Sequence, residues 1–230
     1  MTTDLNMVKD VAITFLYLEP QYKDDKFKMF IAHPFFDSSF LMDYKTKSMY
    51  HIFEDTDTFE KNRVFLKHMI KKETSVKNLF YMICQPYRLT FFKYINQYLS
   101  EQDFSELLMI GWTMTEFVNN NPNVTLNEFV SWFQKADKNY LMDEDELKVL
   151  HDLPEIVTIY RGVGSNKYKN GMFWTLDLDK ALWFSKRFNF DGEYVYQGTI
   201  NKSDILVYIE QRNESEVIVN PRKVKNIGEI

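Results

Sequence analysis

Glu155-Ile-Val-Thr-Ile-Tyr160-Arg161-Gly162-Val163-Gly164 is where this 230-residue chain changes its period. Before Pro154, Phe, Leu, Met and Tyr recur at helical spacing. From Glu155 onward, β-branched and aromatic residues come in short runs with partial alternation, the pattern of strands half-buried in a sheet. Three further runs follow: Glu193–Ile200, Ile205–Gln211 and Glu216–Asn220. One helix is predicted among them, Asp177–Phe188, with Thr175 or Asp177 as its N-cap. Strands interrupted by one helix, with glycines at their ends, describe a compact sheet domain. Of the seven glycines, six lie after residue 160, where such a sheet is expected to turn tightly.

Upstream, the same reading gives helices. Thr56–Lys72 carries Phe59, Val64, Phe65, His68 and Met69 roughly on one face, with Lys and Glu opposite. Val76–Leu99 continues the pattern but contains Pro86, so a break is predicted near Gln85. Phe104–Val118 is a third helix, ended by Asn119–Asn121 and Pro122. Thr125-Leu-Asn-Glu128 is a capping box that opens Leu126–Ala136. Asp143–His151 is a short helix with an acidic start, stopped by Pro154. The fold class that follows is α+β: a helical region over residues 1–150 and a compact β-sheet domain over 151–230.

Composition narrows the function. The net charge is −5, and residues 1–150 carry all of it, with 17 basic and 22 acidic side chains; the remainder has 11 of each. Neither part is a basic nucleic-acid binder by bulk charge. Cys84 is the single cysteine, so no intramolecular disulfide forms and a thiolate zinc site is excluded. The histidines, His33, His51, His68 and His151, lack ligand spacing, so no metal is expected. Asp137–Glu146 has neither the central glycine nor the oxygen ligands of a calcium loop. No basic leader and no apolar run long enough to span a bilayer is present, so a cytoplasmic location and no membrane partner are expected.

Three motifs carry chemistry, and each also has a plain structural reading. Tyr160-Arg161-Gly162-Val163-Gly164 ends a strand with an arginine, one of only six in the chain, beside two glycines. A guanidinium fork suits phosphate or ribose oxygens, and glycines admit a ligand to the backbone; alternatively Arg161 forms a surface ion pair. Gly171-Met-Phe-Trp174-Thr175 places a hydroxyl at a strand end. The following helix offers Trp183 and Phe184, a pair suited to bracing a flat ring or simply to packing the core. Glu214-Ser-Glu216 opens the strand Val-Ile-Val, and residues i and i+2 of a strand share a face. Paired carboxylates can divide the work of stabilising a cation and accepting a proton.

In this order the three motifs resemble those of the R-S-E class of ADP-ribosyltransferases. The resemblance spans about residues 154–221 and does not reach the helical region. It implies an ADP-ribosyltransferase-like sheet domain that uses NAD as substrate and needs no metal. Arg161, with Gly162 beside it, would hold the NAD phosphate or nicotinamide ribose. Thr175 would fill the last position of the family's Ser-Thr-Ser element. Glu216 would be the catalytic glutamate and Glu214 the residue that handles the acceptor. Trp174, Trp183 and Phe184 would supply an aromatic wall. The resemblance further implies a macromolecular acceptor, with an arginine side chain favoured and nucleic acid as the other choice. The helical region would act as lid or target selector, and a regulatory or inhibitory protein partner would be consistent with it.

Two departures from the family pattern stand out. Phe173 occupies the place of the family's first Ser, and the stretch from Arg161 to Thr175 is too short for the helix many members insert there. Phe173 keeps open a catalytically inactive binding module of the same fold; a further alternative is an NAD glycohydrolase that uses the same carboxylate with water as acceptor.

Overall fold

The computed structural model describes residues 2–24, 26–115, 121–187, 192–210 and 213–230. The chain divides into two compact units, Met1–Val118 and Asn119–Ile230. The division falls well before the change of period at Pro154. Helices 126–152 thus belong with the sheet, and the expected boundary near residue 150 marks a change in type of secondary structure only.

The first unit opens with α1, Leu5–Leu16, capped by the Asp4 side chain. An antiparallel meander follows, which the sequence reading did not contain: β1 Gln21–Tyr22, β2 Ile31–Ala32, β3 Phe40–Met42 and β4 Met49–His51. β1 pairs with β2 and β3 with β4, and the Phe30–Ser38 bridge joins the two pairs. Then come α2, Thr56–Lys72, α3, Val76–Met82, α4, Arg88–Ile95, and α5, Glu101–Met114. The break expected near Gln85 is a 3-10 turn, Gln85–Tyr87, with Pro86 inside it. The core is aromatic: Phe80, Phe91 and Phe92 are fully buried with Leu89 and Leu108.

Two buried polar side chains finish the C-terminal end of α1. Arg63 donates to Leu16 O (3.3 Å) and Leu18 O (3.4 Å) and stacks over Tyr17, its charge balanced by Glu60 at 2.7 Å. His33 Nε2 meets Leu18 O at 3.0 Å, while its Nδ1 accepts from the Phe35 amide. Burial pulls the His33 pKa down to about 4, so the ring is neutral and bonded through both nitrogens. Cys84 is half-buried, and burial pushes its thiol up, as suits an inert residue.

The second unit begins with α6, Leu126–Lys135, whose Thr125–Glu128 capping box forms as expected. Next come α7, Lys138–Leu141, and α8, Glu144–Asp152, itself opened by an Asp143–Glu146 capping box. The sheet elements are β5 Ile156–Val163, β6 Phe173–Thr175, α9 Leu178–Lys186, β7 Tyr194–Asn201, β8 Ile205–Ile209, β9 Glu216–Val219 and β10 Lys225–Glu229. They form one antiparallel sheet in the order β10-β7-β5-β6-β9-β8. The protein is therefore α+β. The helices engage the β8 side of the sheet: Lys138 donates to Ile205 O at 3.1 Å, and the Glu146 carboxylate accepts from the Glu210 amide at 2.9 Å. Among the described residues, no helix is long and apolar enough to cross a membrane.

The glycines do a different job from the one expected. None of the described glycines has a positive φ; the left-handed positions are Lys47, Asn213, Ser215 and Asn226. Gly162 instead permits a close approach, because a Cβ there would overlap the Ala181 carbonyl oxygen and lie 2.7 Å from the Ser185 amide. The space beside Gly162 is taken by α9, so it is a helix backbone that this glycine admits. Gly162→Ala should therefore destabilise the protein by about 3 kcal/mol, the upper range for overpacking a core. Urea denaturation would show a lower midpoint with an unchanged slope.

Candidate active site

The strands carrying the three motifs are immediate neighbours, although their residues lie far apart in sequence. β6 is flanked by β5 on one side and β9 on the other. Register aligns Tyr160 with Thr175, and Thr175 with Glu216. Directly opposite residues of antiparallel strands share a face, so these three form one row across the sheet centre.

The β5–β6 junction is unusual. Among the described residues, Tyr160–Thr175 is its only bridged pair, whereas β5 and β7 pair continuously from Ile156–Asn201 to Val163–Tyr194. The sheet thus consists of two three-stranded halves, β10-β7-β5 and β6-β9-β8, joined at a seam. Where the backbone ladder lapses, Arg161 takes over. Its Nε donates to Tyr168 O at 3.0 Å and its Nη1 donates to Phe173 O on β6. Gly171 leaves room for the guanidinium: a Cβ there would overlap Nη2. Arg161 is only 8% exposed, and burial lowers its pKa to about 10, partly offset by the Glu216 carboxylate. Nη2 makes no hydrogen bond among the described residues.

Thr175 is buried, and its hydroxyl is committed at both ends. It donates to Glu214 O at 2.7 Å and accepts from the Asp177 amide at 3.1 Å. Asp177, not Thr175, caps α9. The hydroxyl therefore fastens the glutamate-bearing turn onto β6, and the Leu176 amide adds a second tie to Ser215 O at 2.9 Å.

Glu214 and Glu216 are both half-buried, but they are not two positions of one strand. β9 starts at Glu216, and Ser215 has φ 43°. A left-handed residue between them interrupts the pleat, so the rule that places i and i+2 on one face does not apply across it. Such a conformation in a non-glycine residue persists only when its surroundings enforce it. Here the enforcement comes from Glu210: its carboxylate accepts from Ser215 Oγ at 3.2 Å and from the Tyr208 hydroxyl, and its carbonyl accepts from the Asn213 amide. Burial and this carboxylate push the Tyr208 pKa up to about 12. Glu210, Tyr208 and the α8 residue Glu146 were missed by sequence reading. The one available signal was Asp143-Glu-Asp-Glu146 itself, a capping-box spacing.

The aromatic candidates separate. Trp174 is 2% exposed, and its indole N–H is used on Gly171 O at 3.0 Å, so it is a core residue. Trp183 is half exposed on α9, edge-on to half-buried Phe184 at 5.0 Å and beneath the Arg187 guanidinium. The structure brings together Thr175, Glu214 and Glu216, and it places Arg161 within electrostatic reach of Glu216. Arg161 does not join the Tyr160–Thr175–Glu216 row: it lies one residue beyond Tyr160 and leaves the alternate face of β5. Between Arg161 and Thr175 there is only a single 3-10 turn, Asn166–Tyr168. Among the described residues, no cluster of His, Cys, Asp or Glu is placed to hold a metal ion.

Scans against family models, curated proteins and solved structures returned no match.

The seam gives a direct test. Replacing Arg161 by Met keeps the bulk but leaves the carbonyls of Tyr168 and Phe173 without a charged donor. Bonds of that kind are worth about 1.5–3 kcal/mol each, so Arg161→Met should lose about 3 kcal/mol or more in chemical denaturation. An unchanged midpoint would show that the guanidinium does not join the two half-sheets.

Proposed function

We propose that the C-terminal unit is a mono-ADP-ribosyltransferase that takes NAD as substrate and transfers ADP-ribose to a macromolecular acceptor, an arginine side chain ahead of a nucleic acid. The observation that carries this reading is the adjacency of β5, β6 and β9, with Thr175 directly opposite Glu216 and Arg161 coupled electrostatically to the same carboxylate. The pinned turn adds support, since a fixed carboxylate costs no reorganisation when charge develops beside it.

In this reading the bond between nicotinamide and the ribose anomeric carbon breaks, and nicotinamide leaves with the bonding pair. Glu216 stabilises the oxocarbenium charge left on the sugar more than it stabilises the ground state. The acceptor nucleophile then bonds to that carbon and gives its proton to Glu214. On Arg161, Nη2 is the nitrogen from which an anionic oxygen of NAD would be held, because Nε and Nη1 serve carbonyls. Trp183 and Phe184 are the rings that offer surface; Trp174 is not.

A second reading draws on one observation. An arginine that is nearly buried and bonded to two carbonyls is already explained by the sheet. The unit would then be a catalytically inactive relative of the same fold that binds without turnover.

Incubation with labelled NAD and a cell extract separates the two, with protease and nuclease digestion identifying the acceptor. The wild-type chain should release nicotinamide and label a macromolecule. Glu216→Gln should lose at least 100-fold in rate, the scale on which single electrostatic groups act, while keeping its circular dichroism spectrum. Wild-type turnover in that variant, or no nicotinamide release from the wild-type chain, overturns the proposal.

A further inference from the structure

The meander of the N-terminal unit breaks the usual rule for a sheet with one face on a core. Its inner face is buried as expected, with Ile31, Tyr50 and Ile52 at 0%, 9% and 1% exposure. The outer face of such a sheet is ordinarily polar. Register puts Phe30 opposite Ser38, Phe40 opposite His51 and Met42 opposite Met49, all on the outer face. Phe30, Phe40, Met42 and Met49 are all exposed there, Met49 at 61%.

Connectivity concentrates this surface at one end. In an up-down meander, the β1–β2 and β3–β4 connections lie at the same end, and the β2–β3 connection lies at the other. The pairing confirms the arrangement: the Ser39 amide donates to Met29 O and the Lys23 amide to Phe30 O. The first of these two connections carries Phe27, 67% exposed, and Met29. The second joins Met42 to Met49.

Charge is divided along the same axis. The end with the two connections carries five lysines, Lys23, Lys26, Lys28, Lys45 and Lys47, against three aspartates. One of these, Asp43, spends its carboxylate on the Lys45 and Thr46 amides of its own turn. The meander's segments at the other end carry Glu19, Asp37, Glu54, Asp55 and Asp57 and no lysine or arginine. In a chain of net charge −5, a basic tip with protruding Phe and Met beside its lysines is a local reversal. Lysines drawn to anionic headgroups with apolar side chains entering the boundary layer are the elements of interfacial membrane binding. A single-stranded nucleic acid would match the charge and could stack a base on Phe27, but it offers nothing comparable to the aliphatic Met29, Met42 and Met49.

We propose that this end of the meander docks on an anionic lipid surface, with Phe27, Met29 and Met49 entering the headgroup layer and the flanking lysines meeting lipid phosphates and carboxylates. This proposal departs from the expectation of no membrane partner, which rested on the lack of an apolar run long enough to span a bilayer. The inference is independent of the chemistry proposed for the C-terminal unit.

The test is co-sedimentation of the full chain with vesicles of phosphatidylcholine alone or with 30% phosphatidylserine. Binding to the mixed vesicles only, weakened by salt, is expected. The triple variant Phe27→Ser, Met29→Ser, Met49→Ser alters exposed positions only and should retain its melting temperature while binding at least tenfold more weakly. Lys26→Glu with Lys45→Glu should lose at least as much. No vesicle binding, equal binding to neutral vesicles, an unaffected serine variant, or capture of single-stranded DNA in preference to vesicles each overturns it.

Discussion

The sheet of the C-terminal unit depends on a joint one residue pair wide. Among the described residues, Tyr160 and Thr175 are the only bridged pair between its two three-stranded halves, and the Arg161 guanidinium closes the gap beside them through Tyr168 O and Phe173 O. Burying a guanidinium is costly unless its donors are used; here two carbonyls take Nε and Nη1, and the field of Glu216 offsets part of the desolvation. Several residues that matter to the chemistry proposed for this unit lie close to this joint. Thr175 bears the hydroxyl that fixes the glutamate turn, Gly171 makes room for the guanidinium, and Gly162 lets α9 settle onto β5.

A seam of this kind suits a ligand site for a physical reason. A continuous ladder leaves no backbone groups to spare, whereas a lapse in pairing leaves donors and acceptors that side chains or a ligand must satisfy. Arg161 satisfies two of them and keeps Nη2 outside any protein hydrogen bond among the described residues. On the other side of β6, Glu210 and Thr175 hold Ser215 in a conformation that few non-glycine residues adopt. Stabilisation spent on holding a turn that bears two carboxylates, next to a buried guanidinium, is the pattern of a site prepared in advance.

Much of the secondary structure was legible in the sequence because its signals are local. Thr56–Lys72 was read to its ends, but on the wrong face: the helix buries Phe59, Asn62, Arg63 and Ile70 and leaves Val64 and Met69 exposed, because Arg63 and Asn62 are drawn inward by backbone carbonyls and the Tyr50 hydroxyl. Thr125–Glu128 was read from its capping spacing. Other features escaped. α1 went unread although Val8, Ala12, Phe15 and Leu16 form a buried stripe at helical spacing, whereas the meander strands are only two or three residues long and carry little periodic signal. The seam left no mark, since pairing between strands far apart in sequence is not written in either one. Ser215 was the costliest omission: nothing in Glu-Ser-Glu announces a left-handed serine, because the carboxylate that enforces it sits at Glu210. The glycines misled for a related reason. They were read as turns, while Gly162 and Gly171 answer to a helix and a side chain that approach from elsewhere in the chain.

The central claim, that the seam is where NAD binds, is tested most directly by following the backbone amides of the isotopically labelled chain while NAD is added. The account expects saturable shifts concentrated at Arg161, Thr175 and Glu216, with smaller ones at Trp183 and Phe184. Shifts absent at millimolar NAD, or confined to residues away from β5, β6 and β9, would contradict it.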